Sequence, residues 1–457
     1  VLLDGKKPAK QNQIQLIQQI QVALSKYDVV GVNAPPGWGK TYISRAIQLQ
    51  QPRCDIIVSS NHLMDQMTRD YPELAAAKGK ANYETAKDYQ TARRVAGTAA
   101  HAIFNPMSAL FTVPREGRKV ALTIIDEAHT LSEVLRNAAT NTFDTNKAGI
   151  PATCKTEYDL IMWAKDRFNK LQQKFIAGEL SPAMVTQFEQ IGMIYYSVVG
   201  QEMRSIFKIS RGGRVVRGRS VETLSVTALE CPQGILNRLY GDGKVLLLSG
   251  SLTRTETELL AAGRSFTWLS VPYLAPPENR PVYIRAVPRE LRRDIPTLAN
   301  MIRTIYTENN MAPTLVHATY ADQALLAQAL ADLTPITNSP TTKLKAEKKF
   351  KADGGIWIAA GCSEGVDLPY DDCEVVILPT LQFPNKGDLY VQKRLGQPGG
   401  ARWYAIKTLE NTVQRLGRGM RGHDDYCKHF IIDPYFPQLW AEYKQEFEPL
   451  NVVWGQE

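Results

Sequence analysis

Apolar positions along the chain fall into two repeating sets. Runs at 29–33, 55–59, 121–125 and 244–249 are apolar almost throughout, and helical patterns separate them. A second set follows at 281–286, 314–317, 355–360, 374–378 and 428–432. Short runs without apolar–polar alternation read as strands buried on both faces, so their alternation with helices predicts α/β domains built on parallel sheets. The proline-rich stretch Val271-Pro272-Tyr273-Leu274-Ala275-Pro276-Pro277 lies between the sets and reads as the linker. A chain of 457 residues has room for about three domains. The surplus sits before the 244–249 run, where 157–177 and 182–206 carry long helical patterns. Trp163, Phe168, Leu171 and Phe175 recur there at helical spacing and read as core packing, not a base-stacking platform.

The first run leads into Ala34-Pro35-Pro36-Gly37-Trp38-Gly39-Lys40-Thr41, a phosphate-loop pattern with Ala in place of its first Gly. Strand before and helix after (Tyr42 to Gln50) are the context that this motif requires. Gly37 and Gly39 let backbone N–H groups close around phosphate oxygens. Lys40 would neutralise the β- and γ-phosphates, and the Thr41 hydroxyl would ligate Mg²⁺. Pro36, Trp38 and Tyr42 complete the expected nucleotide-binding stretch.

The 121–125 run ends in Asp126-Glu127-Ala128-His129. Carboxylates at the carboxyl end of a parallel strand sit where such sheets bind ligands. Asp126 is the candidate Mg²⁺ ligand and Glu127 the candidate base for an attacking water. Two acids here would also serve as a helix cap; the upstream phosphate loop favours hydrolysis. Far downstream, Gln414-Arg415-Leu416-Gly417-Arg418-Gly419-Met420-Arg421 places Arg418 and Arg421 at i, i+3 spacing. These arginines read either as a solvated basic helix or as fingers completing a nucleotide site from a second domain.

Composition narrows the classes. No apolar run approaches the ~18 residues of a membrane span. The beginning, Val1-Leu2-Leu3-Asp4, shows no signal-peptide pattern, so a cytoplasmic location is expected. Six cysteines are scattered without CxxC spacing, which favours reduced structural thiols over disulfides or a zinc site. A net charge of +8 permits a polyanionic partner without requiring one.

Taken together these motifs resemble those of superfamily 2 helicases, specifically the XPD/DinG-like branch. The phosphate loop is similar to motif I and "DEAH" to motif II; "LLLSGSLT" (247–253) resembles motif III. "TLVHATYADQ" (314–323), "GCSEGVDLP" (361–369) and "QRLGRGMR" (414–421) resemble motifs IV, V and VI. The pairing of "SEGVDLP" with "VVILPTLQFPN" (375–385) is the branch-specific part.

The resemblance implies two RecA-like parallel-sheet domains with ATP between them and a small helical, arch-like insertion in the first. The expected division is 1–137 and 209–275 for domain 1, 138–208 for the insertion, and 276–457 for domain 2. It further implies Gln13 as adenine reader, Asp367 at the ribose, and Gln414 with the motif VI arginines in catalysis. Ser59, Ser60 and Asn61 would meet DNA phosphates.

"RSIFKISRGGRVVRGR" (204–219) is rich in arginine and without an acid. Its Arg-Gly-Gly-Arg centre between β-like flanks predicts a hairpin. Arg211, Arg214 and Arg217 would grip a single strand, although a solvated hairpin accounts for the charges equally.

One family feature is missing. Lys78, Gly79, Asn82 and Tyr83 resemble the segment that leads to a four-cysteine iron–sulfur cluster, yet Glu84 and Thr85 stand where its first cysteine would be. No cysteine occurs between Cys54 and Cys154, so a chain using ATP and Mg²⁺ but no iron–sulfur cluster is expected. The expected activity is that of a monomeric ATP-dependent helicase or translocase, moving 5′→3′ on single-stranded or branched DNA. A nucleotide-switched DNA-binding ATPase that never separates strands is the alternative. A small-molecule kinase explains the phosphate loop but neither motif VI nor "SEGVDLP".

Overall fold

Parallel strands built from the apolar runs form two sheets in the computed structural model. It describes residues 9–35, 37–58, 61–79, 82–111, 120–198, 207–216, 219–362, 366, 368–419, 424–447 and 450–454. The chain begins with β1 (Val29–Asn33), β2 (Cys54–Val58), β3 (Ala75–Ala77), β4 (His101–Phe104) and β5 (Leu122–Asp126). An insertion carries β6 (Asn141–Asp144), β7 (Phe207–Val216) and β8 (Arg219–Ala228). β9 (Lys244–Ser249) and β10 (Phe266–Ser270) then complete a seven-stranded parallel sheet, ordered β10-β1-β9-β5-β2-β4-β3.

Every residue of β1, β2 and β5 is buried, as continuous Val/Ile runs require when both faces are covered. Val30, Val32, Ile56 and Ile124 face one core; Val29, Ile57, Ile125 and Leu247 face the other. At Gly31 a Cβ would stand 2.3 Å from the Thr257 hydroxyl oxygen. The helix Arg254–Leu260 therefore lies directly on β1, and only glycine permits that approach.

The second sheet comprises β11 (Pro281–Ile284), β12 (Thr314–Ala318), β13 (Ile336–Thr337), β14 (Ile356–Ala360), β15 (Val375–Leu378), β16 (Lys428–Ile431) and β17 (Asn451–Trp454). Its order is β13-β14-β12-β15-β16-β11-β17, again parallel throughout. The architecture is thus two parallel sheets, as the hydrophobic pattern implies, and matches the two RecA-like domains that the resemblance implies.

The insertion departs from the expected all-helical piece. Helices Glu157–Ile176 and Pro182–Val198 are present, but β6, β8 and β7 form an antiparallel sheet beside them. The expected boundary at 208/209 falls inside β7, and the pairing runs on to Ala228. The Arg-Gly-Gly-Arg stretch is not the turn of the hairpin. Gly212 pairs with Thr223 and Gly213 with Glu222 within the strands, and the antiparallel pairing continues to Val216 opposite Arg219.

The aromatic stripe is core, as read. Phe168 stacks on Phe188 and Tyr195 at 4.8 Å each, and Phe175 stacks on Phe188 at 4.3 Å. These rings belong to the same cluster as Val29, Ile57 and Ile125, so the insertion and the first sheet share one core. Beyond Tyr83, Thr85 accepts a hydrogen bond from the Asp88 N–H at 3.1 Å and caps the helix Ala86–Thr98. Among the described residues no helix is long and apolar enough to cross a membrane.

Candidate active site between the two sheets

Strand order explains why distant motifs meet. β9 lies between β1 and β5, with Asn33 opposite Ser249 and Asp126 opposite Leu248. The phosphate loop, the Asp126-Glu127 pair and the Gly250-Ser251 turn therefore leave the sheet side by side at its carboxyl edge. Across from them stands the end of the helix Gly400–Leu416, continued by a 3₁₀ turn at Gly417–Gly419. Between these walls lies a cavity of about 390 Å³. Gly37, Gly39, Lys40, Thr41, Asp126 and Glu127 line one side; Gln414, Gly417 and Arg418 line the other.

The loop is shaped for close backbone approach. Gly37 has φ 88° and Gly39 φ 72°, both left-handed, and Gly39 is the N-cap of the helix Lys40–Leu49. Amides at that helix start face the cavity with the positive end of the helix dipole behind them. Lys40 Nζ donates to the Ala34 carbonyl at 3.2 Å, within the loop. Trp38 is buried, and its indole N–H donates to the Pro272 carbonyl at 2.8 Å, which ties the loop to the linker.

Gln13 lies against the back of the loop. Its Nε2 donates to the Trp38 carbonyl at 2.9 Å and its Oε1 accepts from the Lys10 N–H at 3.0 Å. It braces the back of the loop, with both ends of its amide engaged. Tyr42 is likewise buried in the domain core beside the loop. Tyr273 of the linker, which the sequence marks only as a spacer, lines the cavity with Arg280 stacked on its ring at 4.2 Å.

The carboxylates differ in environment. Asp126 is fully buried at the end of β5, and desolvation, reinforced by the neighbouring Glu127 charge, pushes its carboxyl up to about 6. Glu127 adopts φ 52°, a strained left-handed conformation for a non-glycine residue, and its carboxyl is partly exposed to the cavity. His129 links the walls. Its Nδ1 lies 2.7 Å from the Ser249 hydroxyl and 3.4 Å from the Glu127 carboxylate. Its Nε2 lies 2.8 Å from the Gln414 amide nitrogen. With Gln414 donating, the imidazole proton belongs on Nδ1, directed at Ser249.

A second bridge stands beside this one. Thr253 donates to Glu410 at 2.7 Å, Ser132 donates to Glu256 at 2.7 Å, and Lys407 pairs with Glu410 at 2.8 Å. Burial opposes the Lys407 charge, but Glu410 and Glu256 outweigh it and lift the ammonium above its ordinary range. Arg418 donates to the Val366 carbonyl at 3.3 Å and reaches the cavity. Arg415, three residues earlier, is buried, and desolvation lowers its guanidinium to about 10.

Some expected residues are elsewhere. Arg211 donates to the carbonyls of Pro151 at 2.6 Å and Cys154 at 3.0 Å and pairs with Glu222, so it fastens the insertion's own loop instead of offering a free charge. Pro36, Ser59, Ser60, Arg217, Asp367 and Arg421 lie outside the described residues, as do the side chains of Asn61 and Arg214.

Comparison with known proteins bears on the family and the fold. The DEAD/DEAH box helicase family matches residues 10–158, and the helicase C-terminal domain family matches residues 313–449. Among solved structures, an XPD helicase superposes with TM-score 0.64 at 15% identity, covering 98% of this chain and 100% of its own. An XPD in its apo form gives 0.61 at 16% identity with coverage of 98% and 100%. Xpd4 of S. tokodaii gives 0.59 at 15% identity with the same coverage. At these identities the likeness is one of fold.

Proposed function

This chain is an ATP-hydrolysing helicase of superfamily 2, XPD/DinG-like in fold and motifs, and from that premise we propose that it moves 5′→3′ along single-stranded DNA. One observation carries the reading: Lys40, Thr41, Asp126 and Glu127 face Gln414 and Arg418 across a single cleft. Helicases of this family use ATP and Mg²⁺. Thr41 and Asp126 would hold the ion, which would draw charge from the β- and γ-phosphates. Lys40 and the loop amides would bind the phosphates, and Glu127 would orient and deprotonate the attacking water. Arg418, together with Arg421, would stabilise charge on the transferring phosphoryl group.

His129 gives this arrangement its logic. It touches the water-activating acid on one side and Gln414 on the other, so a change at the phosphates would be felt across the cleft. Tyr273 would offer a ring to the base, while Gln13 would act by holding the loop. DNA-stimulated phosphate release combined with a strand-displacement assay tests the proposal. Stimulation without displacement would favour the alternative, a nucleotide-switched DNA-binding ATPase. The observation behind that alternative is the single helix Ala86–Thr98 between Tyr83 and His101, too small to act as a wedge domain. With Thr85 capping that helix in place of a cysteine, we also propose that the protein works without an iron–sulfur cluster. Stoichiometric iron or broad visible absorption in the purified protein would contradict this.

A further inference from the structure

A second cavity, of about 300 Å³, lies where the helix Ala86–Thr98 meets the end of the helix Glu157–Ile176. Lys87, Gln90, Thr91, Arg93 and Arg94 line it from the first helix. Phe175, Ile176, Ala177 and Gly178 line it from the second. None of these residues belongs to the ATP cleft.

The buried member is Arg93, which is only 3% exposed. Its guanidinium lies between the rings of Tyr89 and Phe175, 5.0 Å from each centroid. Arg93 forms an ion pair with Glu189 at 3.7 Å, and the same Glu189 Oε1 accepts the Tyr89 hydroxyl at 2.9 Å. None of the three guanidinium nitrogens finds a hydrogen-bond acceptor, and the buried Gln90 amide nitrogen also lacks one. A buried guanidinium whose N–H groups lack hydrogen-bond acceptors is costly even beside a counter-charge. Retaining these unmet donors, one cationic and one amide, on one cavity wall points to an oxygen-rich ligand that would accept from them.

The lining selects the ligand's chemistry. Lys87 and Arg94 are exposed at the rim while Arg93 lies buried beside Glu189, so the site carries three cations against one acid. Donors arrive from four side chains on successive helical turns, which suits a tetrahedral dianion better than a planar carboxylate. Because Arg93 is buried, the anion must end there; an internal phosphodiester carries chain on both sides and would not enter. Opposite the cations, Ile176 is 55% exposed and offers an apolar wall for a sugar or base. The volume falls at the lower end of small-ligand sites.

We propose that this cavity binds a terminal phosphate monoester, supplied by the end of a nucleic-acid strand or by a free mononucleotide. The test uses full-length protein carrying Lys40→Ala, so that the ATP cleft contributes little. Fluorescence anisotropy would compare short oligothymidylates with 5′-phosphate, 3′-phosphate or hydroxyl ends, and thymidine monophosphate would be added as competitor. A phosphorylated end should bind about tenfold tighter than the hydroxyl form, the scale of one charge-assisted contact. Lys87→Ser combined with Arg94→Ser should shrink that preference without disturbing the fold, because both side chains are exposed. Arg93→Met should erase it, with a thermal melt confirming cooperative unfolding. Competition by the monophosphate would show that free nucleotides fit; end preference without competition would identify strand ends as the source. Equal affinity for all ends with no displacement by the monophosphate would overturn the proposal. So would an end preference that survives the paired surface substitutions and, in folded protein, Arg93→Met.

Discussion

The two walls of the ATP cleft are made differently. The first-sheet wall is assembled from three turns that leave adjacent strands, with glycines at left-handed φ and a buried carboxylate already in place. The second-sheet wall is the end of one helix and a 3₁₀ turn, reaching in with Gln414 and Arg418. Under the proposed function the first wall would hold the phosphates, and the second would add groups that matter when charge moves. Binding and turnover are therefore expected to separate by wall.

The sharpest test is Lys40→Ala, which should reduce hydrolysis below detection and weaken ATP binding, read by phosphate release and by nucleotide titration. Measurable turnover there would break the comparison at its base. Arg418→Ala should lose about 10³-fold in turnover while ATP affinity changes little, the signature of a group acting mainly in the transition state. Glu127→Gln should also retain ATP and hydrolyse it slowly, since a carboxamide cannot accept the water's proton.

Acidity sharpens the contrast. With Asp126 at about 6 in the free protein, kcat/KM should halve near pH 6 and fall about tenfold one unit lower, as its metal-binding form is lost. The smallest catalytic effect is expected from Gln414→Ala, several-fold in turnover, the scale of one hydrogen bond to His129.

Stability should respond in opposite directions on the two sides. Asp126 is raised above its unfolded value, so its protonation favours the folded first sheet as pH falls through about 6. His429 in β16 is held down to about 4 by burial, below the unfolded value of 6.5. Its contribution is present above pH 6.5 and is lost as pH falls toward 4. Hydrogen exchange at pH 5 should therefore show β16 and its neighbours opening before β1 and β5, with Tm several degrees below its neutral value.

Much of the receptor wall was legible in the sequence because its chemistry is local. The 29–33 and 244–249 runs coincide with β1 and β9, and the phosphate loop follows β1 directly. Strands without a continuous apolar run escaped notice. β10 is half-buried along its whole length, and β3 is three alanines. The glycine pair at 212–213 signals a turn locally, yet Phe207, Leu224 and Val226 are buried and set a register that carries those glycines inside the strand. Gln13 and Tyr273 show the same limit from opposite sides. The Gln13 amide is engaged with the loop backbone and Lys10, and an aromatic in a linker turns inward to the cavity. Which way a side chain points is settled by packing that no local pattern encodes.

The core common to the insertion and the first sheet carries a mechanical consequence. Phe168, Phe188 and Tyr196 pack in one cluster with Ile57 and Ile125, and the Arg238 guanidinium lies 3.8 Å over the Tyr196 ring. To swing the insertion independently, those rings would have to be exposed to water, at about 25 cal/mol for each Å² uncovered. Among the described residues the chain passes from the first sheet to the second through the 271–277 linker, which Trp38 fastens to the phosphate loop. With its core shared in this way, the insertion would follow the first sheet in any change of angle at the cleft, and its far end would travel further than the cleft itself.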